Sequence, residues 1–284
     1  MSLSILTNIS AMNTQQNLLK SSNAVATSMS RLSSGLRINS AADDAAGYAI
    51  SQGLTSQVNG LNQASSNTND AISMVQTASS SLNNIQSMLQ RVYELGVQYN
   101  NGSNSSTDKT DIQAEVNQLT QEIDRQKTSS NFNNLNLLDG TAGGSGTVTF
   151  QVGANAGDTL TATFSSVEGN SGLGGLGFSW GSAATGGTVI DLSSASALTS
   201  VTSAINNISS MAATLGAVQN RLQYTSDSIS ATEQNLSASN SQIKDVNMAQ
   251  EMTNMTQQQI LEQAGTSMLA QANSQPQLIL KLLG

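Results

Sequence analysis

Apolar residues recur at every seventh position from Val201 through Ile208, Leu215, Leu222, Ile229 and Leu236 to Ile243. No Pro and a single Gly, Gly216, interrupt that span. A heptad column of this length predicts one helix over about 193–243 whose seam faces another helix along its length. At about 1.5 Å per residue the column would run roughly 65 Å, longer than a compact domain of this size is wide. The pattern therefore predicts a rod, an architecture suited to building things.

A second long helix is predicted over about 48–99. Leu54, Leu61, Thr68, Val75, Leu82 and Leu89 form one column, and Ala64, Ala71, Ala78, Ile85, Val92 and Tyr99 form its neighbour. The turn signal Asn100-Asn101-Gly102-Ser103-Asn104 ends it. A third helix, about 107–128, sets Ile112, Val116, Leu119 and Ile123 on one face, with Thr107 or Asp108 as the expected N-cap. Residues 1–38 carry a helical pattern with Leu18, Val25 and Leu32 seven apart, closed by Gly35 and Asn39-Ser40. The last segment, 244–284, holds two apolar triplets, Met248, Met252, Met255 and Leu261, Ala264, Met268. Their phase slips, so the expectation is an amphipathic helix without a strict heptad. Beyond the only Pro, Pro276, lies an apolar tail of Leu278, Ile279, Leu280, Leu282 and Leu283.

Residues 139–191 differ in kind. Gly is dense from Gly143 to Gly187, and Thr147–Val152 and Thr159–Phe164 alternate as strands do, with Gly157-Asp158 as the turn between them. The only Trp, Trp180, is here. The layout predicts a mainly α fold: an elongated antiparallel coiled-coil rod, a small β-hairpin region at its tip, and both termini at the other end. Residues 1–42 with 241–284 are expected to form a terminal helical domain, and 43–240 the rod, including the 139–191 tip. The terminal segments bury too little when paired only with each other, so they are expected to order when copies pack together.

Composition narrows the chemistry. Only 3% of residues are aromatic and 10% charged, which suits thin helical seams better than a thick core. The net charge is −8 and the pI about 4.3, with ten Lys and Arg spread along the chain, which excludes nucleic acid as a partner. The chain has no Cys and no His, which removes disulfides, thiolate metal sites, zinc-protease motifs and the His-dependent dyads and triads. Adjacent Asp43 and Asp44 would diverge on a helix and have no third ligand nearby, so no metal site, cofactor or catalytic residue is expected. No apolar run reaches the roughly 18 residues of a membrane span, and the N-terminus lacks the form of a Sec signal. Export, if it occurs, is expected by a route that cuts no leader.

Four blocks carry a family resemblance: Asn8–Gln15, Ser33–Gly47 (SSGLRINSAADDAAG), Leu89–Gln98 (LQRVYELGVQ) and Gln263–Asn273 (QAGTSMLAQAN). In this order the chain resembles a bacterial flagellin over about 1–140 and 190–284, in a minimal form with a short middle. The resemblance implies a filament subunit exported through the flagellar type III apparatus and added beneath a cap. Terminal segments would line the inner tube and long helices the next shell. It implies a homopolymer whose other partners are the export chaperone, the filament cap and the hook-junction proteins, and an extracellular location. Ser and Thr of the tip could accept O-glycans.

The resemblance also assigns residues. Arg91, Leu95 and Glu115, flanked by Gln90 and Gln98, fall where the family engages a vertebrate Toll-like receptor, although Tyr93 and Gly96 depart from the usual pattern. The apolar tail resembles the end read by the export chaperone and by cytosolic inflammasome sensors. The expected assembly seam comprises the columns above: Leu18, Val25, Leu32, Leu54, Leu61, Val75, Leu82 and Leu89 on one side, Val201 to Ile243 on the other. Met255, Met268, Leu269, Leu280 and Leu283 are the expected terminal core. The competing reading is a signalling coiled coil such as a chemoreceptor-like hairpin, whose tip would be helical instead of Gly-rich.

Overall fold

The computed structural model describes residues 7–167, 190–194 and 196–283, with side chains as far as Ser274. Trp180, the glycines from Gly169 to Gly187, residues Met1–Leu6 and the side chains of the apolar tail lie outside the described residues. The elements are α1 (Ile9–Ser34), α2 (Ala45–Tyr99), α3 (Ser106–Ser129), β1 (Asn131–Phe132), β2 (Leu135–Asn136), β3 (Thr147–Gln151), β4 (Thr159–Thr163), α4 (Ala197–Lys244) and α5 (Met248–Leu283). Contacts divide them into a terminal unit, residues 1–57 with 235–284, and a middle unit, residues 58–234.

In the middle unit the two predicted columns of α2 are both buried. Leu61, Val75, Leu82 and Leu89 alternate with Ala64, Ala71, Ala78, Ile85 and Val92 along one face. Thr68, also buried, donates its hydroxyl to the Ala64 carbonyl at 2.7 Å, so its polar atom costs nothing to enclose. Val201, Ile208, Leu215, Leu222 and Ile229 of α4 are buried as well. The two helices are antiparallel: Gln86 Nε2 donates to Ser209 Oγ, and Gly96 lies under Leu198. A Cβ at position 96 would sit 2.7 Å from the Leu198 methyl, so the glycine that weakens the helix locally admits a neighbour's side chain.

Helix α3 returns along α2, with Ile112, Val116 and Ile123 buried. Its N-cap is Ser105, not Thr107 or Asp108. Ser105 Oγ accepts from the Asp108 amide, and the Asp108 carboxylate accepts from the Ser105 amide, a reciprocal capping box that a shift of two residues would break. Leu119 is only half-buried, and Thr120 takes the inner position with its hydroxyl on the Val116 carbonyl.

After α3 come two hairpins. The first, β1–β2, was not anticipated. It turns through Asn133 and Asn134, both at positive φ (49° and 64°), as a two-residue primed turn requires. The second pairs β3 with β4 antiparallel, Thr147 opposite Thr163 and Phe150 opposite Leu160, across the expected Gly157-Asp158 region. Alternate residues Leu160, Ala162 and Phe164 enter the same core as Leu82, Leu137 and Leu138. Because α3 first carries the chain back along α2, this hairpin lies against the flank of α2. There the Asn67 side chain donates to the Gln151 carbonyl at 3.0 Å and Ala154 packs over Gly60. Gln113 then clamps the segment entering α4, donating to the Ile190 carbonyl and accepting from the Leu192 amide.

Leu82 is fully enclosed by α2, α4 and the hairpin region. Leu82→Ala is expected to lower the stability of the middle unit by about 2–5 kcal/mol in urea unfolding of the full chain.

Candidate assembly surface

The terminal unit is an antiparallel pair, α1 against α5. Asn8 caps α1 with its carbonyl oxygen on the Ala11 amide, and its Nδ2 reaches across to the Ala272 carbonyl at 2.8 Å. Near the middle, Leu18 Cδ1 lies 3.3 Å from where a Cβ of Gly265 would be, so the backbones approach closely. At the other end Arg31 Nη1 stands 4.0 Å from Glu251 Oε1, and Glu251 is buried. Beyond it the two connectors pair as a short bridge. Gly35 ends α1 in the left-handed conformation (φ 72°), the Val246 amide donates to the Gly35 carbonyl, and the Arg37 amide donates to the Lys244 carbonyl at 2.7 Å. In the same unit Asn240 Nδ2 of α4 donates to Thr55 Oγ1 of α2.

The acid pair in the first connector is spent on the backbone. Asp43 Oδ2 accepts from the Ser40 and Asn39 amides and from the Ser40 hydroxyl, and these bonds hold its carboxyl below the usual carboxylate range. Asp44 caps α2 through the Gly47 amide at 3.0 Å, and its carboxylate occupies the space a side chain at 47 would need.

The seam of the α1–α5 pair follows a strict 3-4 spacing on both helices. Its buried or half-buried positions are Ala11, Thr14, Leu18, Ser21, Val25, Ser28 and Leu32 on α1, and Glu251, Met255, Gln258, Glu262, Gly265, Leu269 and Ala272 on α5, with Ala24, Arg31, Asn254, Gln259 and Ser274 half-buried beside them. The phase slip inferred for α5 is therefore absent. The heptad is continuous, but Glu, Gln, Gly and Ala hold most of its positions and hide it from a hydrophobicity pattern. The large apolar residues point elsewhere. Ile9, Met12, Leu19 and Met29 of α1, Ile50 of α2, and Met248, Met252, Ile260, Leu261 and Met268 of α5 are 47–63% exposed. With about 100° per residue, Ile260 lies behind the α5 seam, Met248 and Met252 on one flank, and Leu261 and Met268 on the other. A helix apolar on three sides besides its own seam belongs in the interior of something larger.

Of the other expected site residues, Leu61, Val75, Leu82, Leu89 and Val201 to Ile229 lie in the core of the middle unit, and Leu18, Val25, Leu32, Leu54, Leu236 and Ile243 are half-buried. Met255 and Leu269 are on the α1–α5 seam and Met268 is outside it, while the Leu280 and Leu283 side chains lie outside the described residues. Gln90, Arg91, Gln98 and Glu115 are exposed. Arg91 donates to Glu115 Oε1 through Nε and Nη2 at 3.0 and 2.9 Å, and to Glu94 through Nη1 at 3.3 Å. Those carboxylates, Glu115 first, raise the Arg91 pKa above its already high value. Leu95 does not join this surface. It is 1% exposed, in a cluster with Ile112, Val116 and Val201. A step of four residues advances about 40° around the helix, enough to carry Leu95 from the rim occupied by Arg91 into the core.

Residues 5–143 match the bacterial flagellin N-terminal helical region, and residues 198–283 the bacterial flagellin C-terminal helical region. The chain belongs to the bacterial flagellin family. It is similar to the flagellin of Halalkalibacterium halodurans, 41% identical with 97% of this chain and 98% of that one covered. It is equally similar to the flagellin of Bacillus subtilis, 42% identical with the same coverage. The crystal structure of Bacillus cereus flagellin matches at 29% identity and a TM-score of 0.48 over 58% of this chain and 88% of that one. Flagellins are structural proteins and not enzymes: this chain is a filament subunit that polymerises with copies of itself into the extracellular flagellum. Among the described residues no helix is long and apolar enough to cross a membrane.

The connector yields a pH test. Asp43 has a folded-state pKa below its unfolded value, so its contribution is complete above about pH 4 and is lost as pH falls through the lower, folded value. The melting-temperature difference between the wild type and Asp43→Ala is expected to be largest at neutral pH and to close on acidification. A difference that stayed constant to pH 2 would contradict this role.

Proposed function

We propose that the α1–α5 pair is the self-association element of the subunit, with residues 1–42 and 241–284 forming the inner wall of the tube and 43–240 the shell around it. The observation that carries this is the inverted distribution of side chains. Small and polar residues occupy the seam, and large apolar residues face outward on α1 and on three sides of α5. Copies of the same pair, packed side by side, would cover those faces, each apolar side chain contributing about 1.5–3 kcal/mol when fully enclosed. The columns buried in the middle unit keep each subunit stiff and are not themselves contacts between subunits. Family membership displaces the signalling-hairpin reading.

The finer partners follow from the same division. The apolar tail beyond Pro276 would be read by an export chaperone before assembly and by cytosolic inflammasome sensors. The exposed self-association faces are what the filament cap and hook-junction proteins would engage at the ends. Toll-like receptor binding would use Gln90, Arg91, Gln98 and Glu115 on the outer surface of α2 and α3, with Leu95 acting only by holding α2 in place.

Ile260→Asp tests the central point, because Ile260 is 60% exposed, behind the seam. Seeded polymerisation followed by electron microscopy is expected to give no filaments, with helical content and unfolding of the middle unit unchanged. Normal filaments from this variant would overturn the assignment. In a receptor reporter assay, Arg91→Ala is expected to lose signalling while the monomer's melting temperature stays near that of the wild type; full signalling would refute the receptor surface.

A further inference from the structure

Among the described residues of the terminal unit, five of the ten exposed large apolar ones are methionines: Met12, Met29, Met248, Met252 and Met268, 49–62% exposed. The middle unit is built differently. Its exposed large apolar residues among those described are Tyr93, Val97, Leu135 and Tyr224, Met74 is 2% exposed, and Met88 and Met211 are half-buried against the core. The outward faces of α1 and α5 thus concentrate exposed methionines on the surface assigned to self-association, and the other methionines among the described residues are buried or half-buried.

We propose that these five methionines are an oxidation site that controls entry of the free subunit into the filament, and that assembly shields the same sulfurs. The inference rests on the self-association reading above. The oxidant class is a hydroperoxide. The thioether sulfur attacks one peroxide oxygen, an S–O bond forms as the O–O bond breaks, and an alcohol leaves, or water when the oxidant is hydrogen peroxide; the sulfur loses two electrons and the peroxide gains them. The product is a polar, chiral sulfoxide in place of a flexible apolar side chain. On an interface that must enclose these positions, each sulfoxide oxygen would need a hydrogen-bond partner that an apolar neighbour does not supply. The step is reversible by the two methionine sulfoxide reductases, one for each epimer, with a dithiol as reductant.

The test uses the full-length protein treated with hydrogen peroxide under native conditions, peptide mass mapping and seeded polymerisation. Met12, Met29, Met248, Met252 and Met268 are expected to oxidise first and Met74 last. The critical concentration for polymerisation is expected to rise roughly tenfold or more. Both reductases with dithiothreitol are expected to restore it, and preformed filaments are expected to keep these sulfurs reduced. The proposal is overturned if subunits oxidised at all five positions polymerise as before, or if repair does not restore assembly. Failure of the untreated wild type to polymerise would instead overturn the self-association reading and this proposal with it.

Discussion

Between α1 and α5 the inward positions hold Ala11, Thr14, Ser21 and Ser28 against Glu251, Gln258, Glu262, Gly265 and Ala272, with only Leu18, Val25, Leu32, Met255 and Leu269 as sizeable apolar contacts. Such a seam lets two backbones come close, as Leu18 does at Gly265, but encloses little apolar area. The larger side chains stand on the outside. A pair arranged this way can form, held by the Asn8–Ala272 bond, the Arg31–Glu251 ion pair and the bridge between connectors, and still present a large apolar surface to whatever lies alongside. That imbalance is what the proposed self-association of α1 and α5 draws on.

The middle unit shows the opposite arrangement. Its α2 and α4 columns are large, apolar and fully enclosed, and the β3–β4 hairpin closes the core over Leu82 and Phe164. This unit needs no neighbour to complete it, and it leaves polar and charged side chains such as Arg91, Glu94 and Glu115 at the surface. Among the described residues, one chain therefore combines an enclosed apolar core in its middle unit with outward apolar faces on its terminal helices, the faces proposed above as contacts between copies.

The same contrast explains what the sequence disclosed. Seven-residue columns in α2 and α4 were readable because burial there selects Leu, Ile, Val and Ala. The α5 heptad was not, since Glu251, Gln258 and Glu262 sit on it and Met252, Ile260, Leu261 and Met268 sit off it; an apolar pattern then traces the outside of the helix. Helix ends were legible wherever a glycine or polar run stopped the pattern, as at Gly35 and Tyr99. The start of α3 was misplaced because Ser105, Thr107 and Asp108 all suit a cap and only the reciprocal bonds choose Ser105. The β1–β2 hairpin escaped notice because its strands are two residues long and its signal is only the Asn133-Asn134 turn. The resemblance sets Leu95 beside Arg91 at a receptor surface, whereas its position four residues on turns its side chain into the core.

The account turns on where the outward apolar side chains of α1 and α5 go. A helical reconstruction of the native filament by electron cryomicroscopy, at a resolution that traces side chains, measures this directly. The expected result is that Ile9, Met12, Met252, Ile260 and Met268 are enclosed by α1 and α5 of neighbouring subunits. A filament in which those residues face solvent or an open channel, with subunits held together through the middle unit alone, would contradict it.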